Sequence, residues 1–305
     1  MSENVNTGAA IRLLDKDVYE LIAAGEVIER PASVVKELIE NSIDAGARVI
    51  TVEIKNGGIS FIRITDDGVG IPYEQCPTAF LRHATSKVRT AEDLEAIATL
   101  GFRGEALASV AAVGRVSLLS KTAGADSGAS YIIEGGKPLE HERLPCPDGT
   151  TIIIRELFFN IPARLKFLKK DLTEGNYIRA VIEKAALSNP EVAFRFIRDN
   201  ELVRVTPGDG KLHSALYAVY GADFASNALL VNECGEGGTQ GIRVTGAVIA
   251  PLAAKNNRTY QNFFVNARYV RSSTFTAALE EGFRGRIMSG KFPACVLNLE
   301  LAPSE

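Results

Sequence analysis

Residues 31–47 constrain this chain more than any other stretch. Pro31 suits the first turn of a helix, where a missing N–H has no partner to lose, and Gly46 suits a helix end. Between them Val34, Val35, Leu38, Ile39 and Ile43 recur at helical spacing, an apolar stripe that must be covered. At about 100° per residue, Glu37, Asn41 and Asp44 fall in one wedge roughly 60° wide beside that stripe. One packed helix therefore presents a carboxylate, a carboxamide and a second carboxylate in a row. Glu37 suits the activation of a water, and the Asn41 side-chain oxygen is a hard ligand suited to Mg²⁺. An ordinary solvated helix face accounts for the same three residues, so the rest of the chain has to decide.

Before this helix, residues 1–10 read as a flexible leader, and Val18, Leu21, Ile22 and Val27 suggest a short helix. After it, Val49 to Lys55 and Ile59 to Thr65 are β-rich runs around Asn56-Gly57-Gly58, a hairpin signal. The second run delivers Asp66-Asp67-Gly68-Val69-Gly70. A carboxylate at a strand end, followed by glycines that allow close backbone approach, suits a ligand; a plain Asp-Gly turn has the same composition. Residues 73–83 read as helix and lead to Arg82-His83-Ala84-Thr85-Ser86-Lys87. Hydroxyls beside a lysine suit a phosphate or a mobile lid, and equally a solvated loop. A short helix around 91–99 precedes Gly101-Phe102-Arg103-Gly104-Glu105-Ala106-Leu107. Two glycines opening into a helix N-terminus aim backbone N–H groups and positive dipole at an anion.

Val116 to Ser120, Ser130 to Glu134 and Thr150 to Arg155 read as strands of one antiparallel sheet. Leu157 to Lys170 interleaves Arg164, Lys166, Lys169 and Lys170 with Leu165, Phe167 and Leu168, a pattern open to nucleic-acid contact or to amphipathic packing. A helix over 174–188 closes at Pro190, and Val192 to Arg198 with Glu201 to Thr206 form a hairpin over Asp199-Asn200. Pro207-Gly208-Asp209-Gly210 is the linker candidate. A helix (211–220), strands near 228–233, 241–249 and 263–265, a helix (272–286) and a strand (294–301) follow. The pattern is α+β twice, a sheet with helices on one face and then a smaller sheet-and-helix unit.

Composition removes several alternatives. A net charge of −3 gives no global basic field, so any nucleic-acid surface must be a local patch. No apolar run approaches ~18 residues, so no membrane partner or span is expected. The four cysteines lie far apart and read as free thiols of an intracellular protein, and the three histidines are scattered too, so neither disulfide nor zinc spacing is present. Gly285 to Lys291 has phosphate-loop spacing, but Phe292 stands where Ser or Thr must hold Mg²⁺. No Gly-x-Gly-x-x-Gly follows a strand.

The helix with Glu37 and Asn41, the strand end with Asp66 and Gly70, the Gly101/Gly104 loop and Gly149-Thr150 together resemble the GHKL ATPase superfamily. Longer strings narrow this: 23–31, 36–42, 44–47, Arg82 to Lys87, Gly101 to Ala108, Asn160-Ile-Pro-Ala-Arg164 and Phe264 to Arg268 look like the MutL family of DNA mismatch repair ATPases. The likeness runs from about Ile11 to Leu301. It implies a GHKL (Bergerat-type) ATPase α/β sandwich over 11–207, followed by a smaller α/β transducer domain of ribosomal-protein-S5-like type over 211–305. It implies ATP and Mg²⁺ as cofactors, with Glu37 as general base and Asn41 as Mg²⁺ ligand. Asp66 would accept from the adenine amino group, Thr150 would help hold the base, and Gly70 would lie against it. Gly101, Phe102, Arg103, Gly104, Glu105, Ala106 and Leu107 would wrap the triphosphate. Thr85, Ser86 and Lys87 match a lid that orders with nucleotide.

The same resemblance implies slow ATP hydrolysis and ATP-dependent association with a second copy or a paralogue. It implies sequence-independent DNA contact, and coupling between a mismatch-recognition protein and a downstream nuclease or helicase. It implies a cytoplasmic place in a bacterium or a nuclear one in a eukaryote. Lys255, Arg258, Arg268, Arg271, Arg284, Arg286 and Lys291 make the far end of the chain locally basic, and Arg268 and Arg271 are the DNA-contact candidates; solvated charges are the other reading. Three departures stand out: Asp67 where relatives often have Asn, Ile161 for a common Thr and Ala267 for a common Gly. The chain stops at Glu305, before the family's lysine that reaches the γ-phosphate, so an N-terminal fragment with weakened turnover is expected. The competing readings are a nucleotide-gated binding module without useful catalysis, and another GHKL enzyme of the chaperone or topoisomerase kind.

Overall fold

The computed structural model describes residues 28–87, 100–101, 104–235 and 241–301. The leader, the helix expected before Pro31 and the helix expected around 91–99 lie outside these residues. Helix α1 (Pro31–Asp44) starts on its proline and buries Val34, Val35, Leu38 and Ile39 completely or nearly so, as the stripe requires. Strands β1 (Val49–Lys55) and β2 (Phe61–Asp66) pair antiparallel, with Ile50 opposite Asp66, across a helical turn at Asn56–Gly58. Gly57 and Gly58 both have positive φ. A Cβ on Gly57 would come within 2.8 Å of the Asp171 carbonyl oxygen, so this turn accepts no side chain.

Next come α2 (Cys76–Ala79), α3 (Ala106–Val113), β3 (Arg115–Lys121), β4 (Gly128–Glu134), β5 (Lys137–Leu144) and β6 (Gly149–Arg155). Then follow α4 (Pro162–Phe167), α5 (Asp171–Ser188), β7 (Ala193–Arg198) and β8 (Glu201–Val205). These strands form one eight-stranded sheet in the order β5-β4-β3-β6-β2-β1-β7-β8. Every pairing is antiparallel except β1 with β7, which run parallel with Val49 beside Ala193. Alternate strand residues such as Val52, Ile64, Val116, Leu118, Ile154 and Phe196 face α1, α3 and α5 and make one continuous apolar core.

The rest of the chain supplies α6 (Leu212–Tyr220), α7 (Ala222–Ser226), β9 (Ala228–Cys234), β10 (Arg243–Ile249), β11 (Gln261–Val265), β12 (Arg268–Val270), α8 (Ser273–Gly282) and β13 (Cys295–Glu300). Its five strands run β12-β11-β13-β10-β9, with β11 parallel to β13. Leu216, Phe224, Ile249, Phe264 and Val296 gather in a second, separate apolar cluster, which Leu187 at the end of α5 also joins. Arg204 of β8 links the two clusters, donating to the Ala218 carbonyl at 2.6 Å and to Glu183 at 3.0 Å.

Three details differ from the sequence reading. The helix expected over 73–83 shrinks to a turn at Tyr73–Gln75 and the four residues of α2, because Pro77 has no N–H to carry the hydrogen-bond ladder on from Tyr73 and His83 takes a left-handed φ of 61°. The helix expected over 272–286 stops at Gly282. Strand β5 was not expected at all. Its residues are charged and mostly exposed, and it is pinned by the Tyr73 ring stacked on His141 at 3.9 Å. The four cysteines are free thiols. Burial pushes Cys76 up to about 11 and Cys295 up to about 12, so neither is a thiolate at neutral pH.

Candidate functional site

A cleft of about 1510 Å³ opens between α1 with the end of β2 on one side and residues 83–87 and 104–107 on the other. Its first end is built on the sheet. Asp66, the last residue of β2, is buried, and its Oδ2 accepts the Ser42 hydroxyl at 2.7 Å while Oδ1 accepts the Gly68 N–H at 3.0 Å. Thr150 lies opposite it in register on β6. Ser120 of β3 ties this end together: it accepts the Ile71 N–H at 2.7 Å, lies 2.9 Å from the Thr150 hydroxyl, and donates to the Gly149 carbonyl at 3.0 Å. Gly149 has a φ of 102°, and a Cβ there would stand 2.1 Å from the Asp66 carbonyl oxygen. A Cβ on Gly70 would stand 2.2 Å from the Lys121 carbonyl oxygen. Burial pushes the Asp66 carboxyl up, against the pull of its hydrogen bonds from Ser42, Gly68 and the Thr150 backbone. Asp67 faces elsewhere: one of its oxygens accepts the N–H groups of Arg48 at 2.7 Å and Val49 at 2.8 Å. An asparagine oxygen could accept the same two N–H groups.

The second end is built on α1. Glu37, Asn41 and Asp44 all line the cleft, as their shared wedge requires. Glu37 keeps about a third of its side chain exposed, with the Lys36 ammonium 3.3 Å away. Lys36 also pairs with Glu40 at 2.9 Å, whose carboxyl is pushed up by burial and only partly pulled back by that lysine. Asn41 Oδ1 accepts from Lys87 Nζ at 2.9 Å, and the same ammonium lies 2.6 Å from Asp44 Oδ2. Asp44 further accepts the backbone N–H groups of Leu100 at 2.9 Å and Gly101 at 3.1 Å. Gly104 has a φ of 63°, and a Cβ there would meet the Ala84 carbonyl at 2.6 Å, so this turn presses directly on the 83–87 strip. The N-terminus of α3 follows, with Glu105, Ala106 and Leu107 on the cleft wall. Asn160 braces the far end of α3, donating to the Ala112 carbonyl at 2.8 Å.

Gly70, Thr85, Ser86, Gly101, Gly104 and Thr150 thus share one cleft with Glu37, Asn41, Asp66 and Lys87; Phe102 and Arg103 lie outside the described residues. The two DNA-contact candidates separate. Arg268 lines this cleft, brought there by β12, whose Tyr269 ring packs under Lys184 of α5 at 3.6 Å. Arg271 is exposed and away from the cleft lining. The basic end is less basic than its sequence, since Lys255 pairs with Asp223, Arg258 with Glu280 and Arg284 with Glu281.

Sequence reasoning gave Ser42 and Ser120 no role in the site and Asp44 no partner. Ser42 alone carried a usable signal, one helical turn from Leu38 and pointing into the packed side. Among the described residues, no three His, Cys, Asp or Glu side chains gather as a metal site. A lone hard oxygen already matched to a cation, Asn41 Oδ1, fits a metal that brings most of its own ligands, as Mg²⁺ on phosphates and water does.

Comparison with known proteins finds relatives for both parts of the chain. Residues 28–140 match the family described as histidine kinase-, DNA gyrase B- and HSP90-like ATPase, and residues 216–305 match the DNA mismatch repair protein, C-terminal domain family. The DNA mismatch repair protein MutL of Agathobacter rectalis is 49% identical over 94% of this chain and 44% of its own length. That of Symbiobacterium thermophilum is 47% identical over 97% of this chain and 46% of its own. The chain therefore spans about half the length of the curated relatives it matches. Among solved structures, the N-terminal domain of a DNA repair protein superposes with a TM-score of 0.79 at 27% identity, over 93% of this chain and 87% of that one. The Aquifex aeolicus MutL ATPase domain complexed with ADP superposes with a TM-score of 0.67 at 28% identity, over 91% and 94%. The fold is accordingly the expected α+β one, a GHKL-type sandwich followed by a smaller α/β unit.

Proposed function

The chain belongs to the MutL family of DNA mismatch repair proteins, and from that premise we propose that its cleft binds ATP and hydrolyses it slowly to drive a switch. The observation that carries this reading is Asp66, a buried carboxylate fixed by Ser42 and Gly68 on the cleft wall. An acceptor so fixed selects adenine, whose amino group donates, over guanine, which presents a carbonyl at the same edge. Thr150 and Gly70 hold the base beside it. The base then directs the phosphates along α1 toward the N-terminus of α3, where the N–H groups of the 101–107 turn receive them.

In this reading Glu37 orients the attacking water, a role that one positioned carboxylate fulfils because phosphoryl transfer needs mainly alignment and charge neutralisation. Mg²⁺ held by Asn41 supplies part of that neutralisation when bound. Lys87, Thr85 and Ser86 close over the phosphates. The ATPase domain occupies 11–207 and the transducer 211–305, with Arg268 carrying the second unit's charge to the cleft. Association of two copies, or of this chain with a paralogue, then makes the surface that contacts DNA without sequence preference, with Arg271 on it, and that meets the mismatch-recognition protein and the downstream nuclease or helicase. The relatives named are bacterial, which supports a cytoplasmic setting, and no helix among the described residues is long and apolar enough to cross a membrane.

The test is Mg²⁺-dependent phosphate release by this chain and by its Glu37→Ala variant, with adenine-nucleotide affinity measured on both. We expect wild-type turnover well under the ~10 s⁻¹ of a median enzyme. The variant should lose roughly 100-fold or more while nucleotide affinity changes less than about threefold. Equal turnover in the two proteins would remove Glu37 from the chemistry.

A further inference from the structure

We propose that Lys87 is an internal counter-cation that occupies Asn41 until nucleotide arrives, and that Asp44 is the residue that positions it there. The proposal rests on the nucleotide reading of the cleft and adds an order of binding to it: no divalent ion at Asn41 without phosphates. Lys87 Nζ stands 2.9 Å from Asn41 Oδ1 and 2.6 Å from Asp44 Oδ2, with only 18% of its side chain and 7% of the Asp44 side chain exposed. Asp44 holds two segments here, Lys87 and the 100–101 backbone, because it also accepts the N–H groups of Leu100 and Gly101. The space is tight on that side. A Cβ on Gly101 would be 3.3 Å from Nζ and 3.5 Å from Asn41 Oδ1.

Mg²⁺ binds oxygen at about 2.1 Å. An ion on Asn41 Oδ1 would therefore lie no more than about 5 Å from the Lys87 ammonium, a distance at which like charges repel strongly in a partly buried site. The two cations compete for one oxygen. Phosphate oxygens change the balance: they attract the ammonium away from Asn41, release the carbonyl oxygen and bring further ligands for the metal. Asp44 keeps its two backbone partners throughout, so its carboxylate is never left wholly unpaired.

The competition is measured with Mn²⁺ as the probe, by counting free ion in its electron paramagnetic resonance spectrum. The samples are the whole chain, Lys87→Gln, Lys87→Arg and the double variant Lys87→Gln/Asp44→Asn, each with and without ADP. Wild type and Lys87→Arg should bind Mn²⁺ weakly alone and at least tenfold more tightly with ADP. Lys87→Gln should gain at least tenfold in nucleotide-free Mn²⁺ affinity, and the double variant should return to the wild-type value. Nucleotide-free Mn²⁺ affinity in Lys87→Gln within twofold of wild type overturns the proposal. So does a wild type that binds Mn²⁺ equally well with and without ADP while still binding ADP, a result that needs no variant to fold. Absence of ADP binding by wild type under every condition would instead sink the nucleotide reading. The nucleotide-free comparison of Lys87→Gln with wild type would still decide the role of Lys87.

Discussion

The two ends of the cleft are built from different materials. At the Asp66 end the side-chain partners stand on the sheet or on α1: Ser42, Thr150 and Ser120 hold one another and Gly149, and the short loop after β2 adds only the backbone N–H groups of Gly68 and Ile71. At the Asn41 end the partners are a lysine on a loop and the N–H groups of a second loop. Strand ladders give a shape that ligand binding does not alter. Loop-borne ammonium and amide groups can be exchanged for phosphate and metal without disturbing the core. The difference teaches how one cleft can be rigid at one end and adjustable at the other, which suits the proposed switch.

Methyl groups test that contrast most severely. Gly149→Ala must push against the Asp66 carbonyl itself, so unfolding should become easier by about 3 kcal/mol, read from denaturant midpoints. Gly101→Ala meets side-chain tips alone, those of Lys87, Asn41 and Asp44, and should cost less than about 1 kcal/mol. Equal losses would erase the distinction between the ends. Asp66→Ala comes next. It should weaken adenine-nucleotide binding roughly 100-fold, the worth of a charge-assisted bond plus its lost alignment, in a fluorescent-nucleotide titration.

A smaller effect sharpens the same end through pH. The Asp66 carboxyl lies above the ordinary aspartate range in the folded chain, so the fold holds a proton that the unfolded chain has already released. Its stabilising share is fully present below the ordinary aspartate value and is lost as pH rises through the raised one. In the proposed reading nucleotide binding uses the carboxylate, so nucleotide affinity should rise over that same window. Asp66→Asn should flatten the difference in both curves. The smallest effect lies outside both ends: Ala267 sits in the left-handed region with a φ of 63°, so Ala267→Gly should add about 0.5–1 kcal/mol of stability and leave the cleft unchanged.

Much of this was legible because the relevant signals are periodic or sterically forced. Pro31 with the Val34–Ile43 stripe gave α1 within a few residues, and with it the shared wedge of Glu37, Asn41 and Asp44. The 56–58 turn gave β1 and β2, and with them the strand end at Asp66. The misses have physical reasons too. Strand β5 is an edge strand whose Glu140, Glu142 and Arg143 face solvent, so it has no apolar alternation to detect, and such charge is how an edge avoids pairing with another chain. Ser42 and Ser120 are hydroxyls whose importance depends on which oxygen the fold brings to them, information that no local window contains. Ala267 illustrates the opposite case: the resemblance leads one to expect Gly there, and the backbone has the left-handed shape that glycine prefers.

The parallel pairing of β1 with β7 also sets a timetable. Val49 cannot find its neighbour until Ala193 exists, and at a synthesis rate of ~5–20 residues per second that wait is on the order of ten seconds. Throughout it, the hairpin carrying Asp66 has one unpaired edge beside α1. Long-range closure of this kind is the slow step of folding, because the entropy of a long loop is lost before its contacts form. Birth of the proposed nucleotide site therefore waits on a strand that contributes no residue to it, and a ribosome stalled before β7 would hold the Asp66 cleft with one side of its sheet still open to other chains.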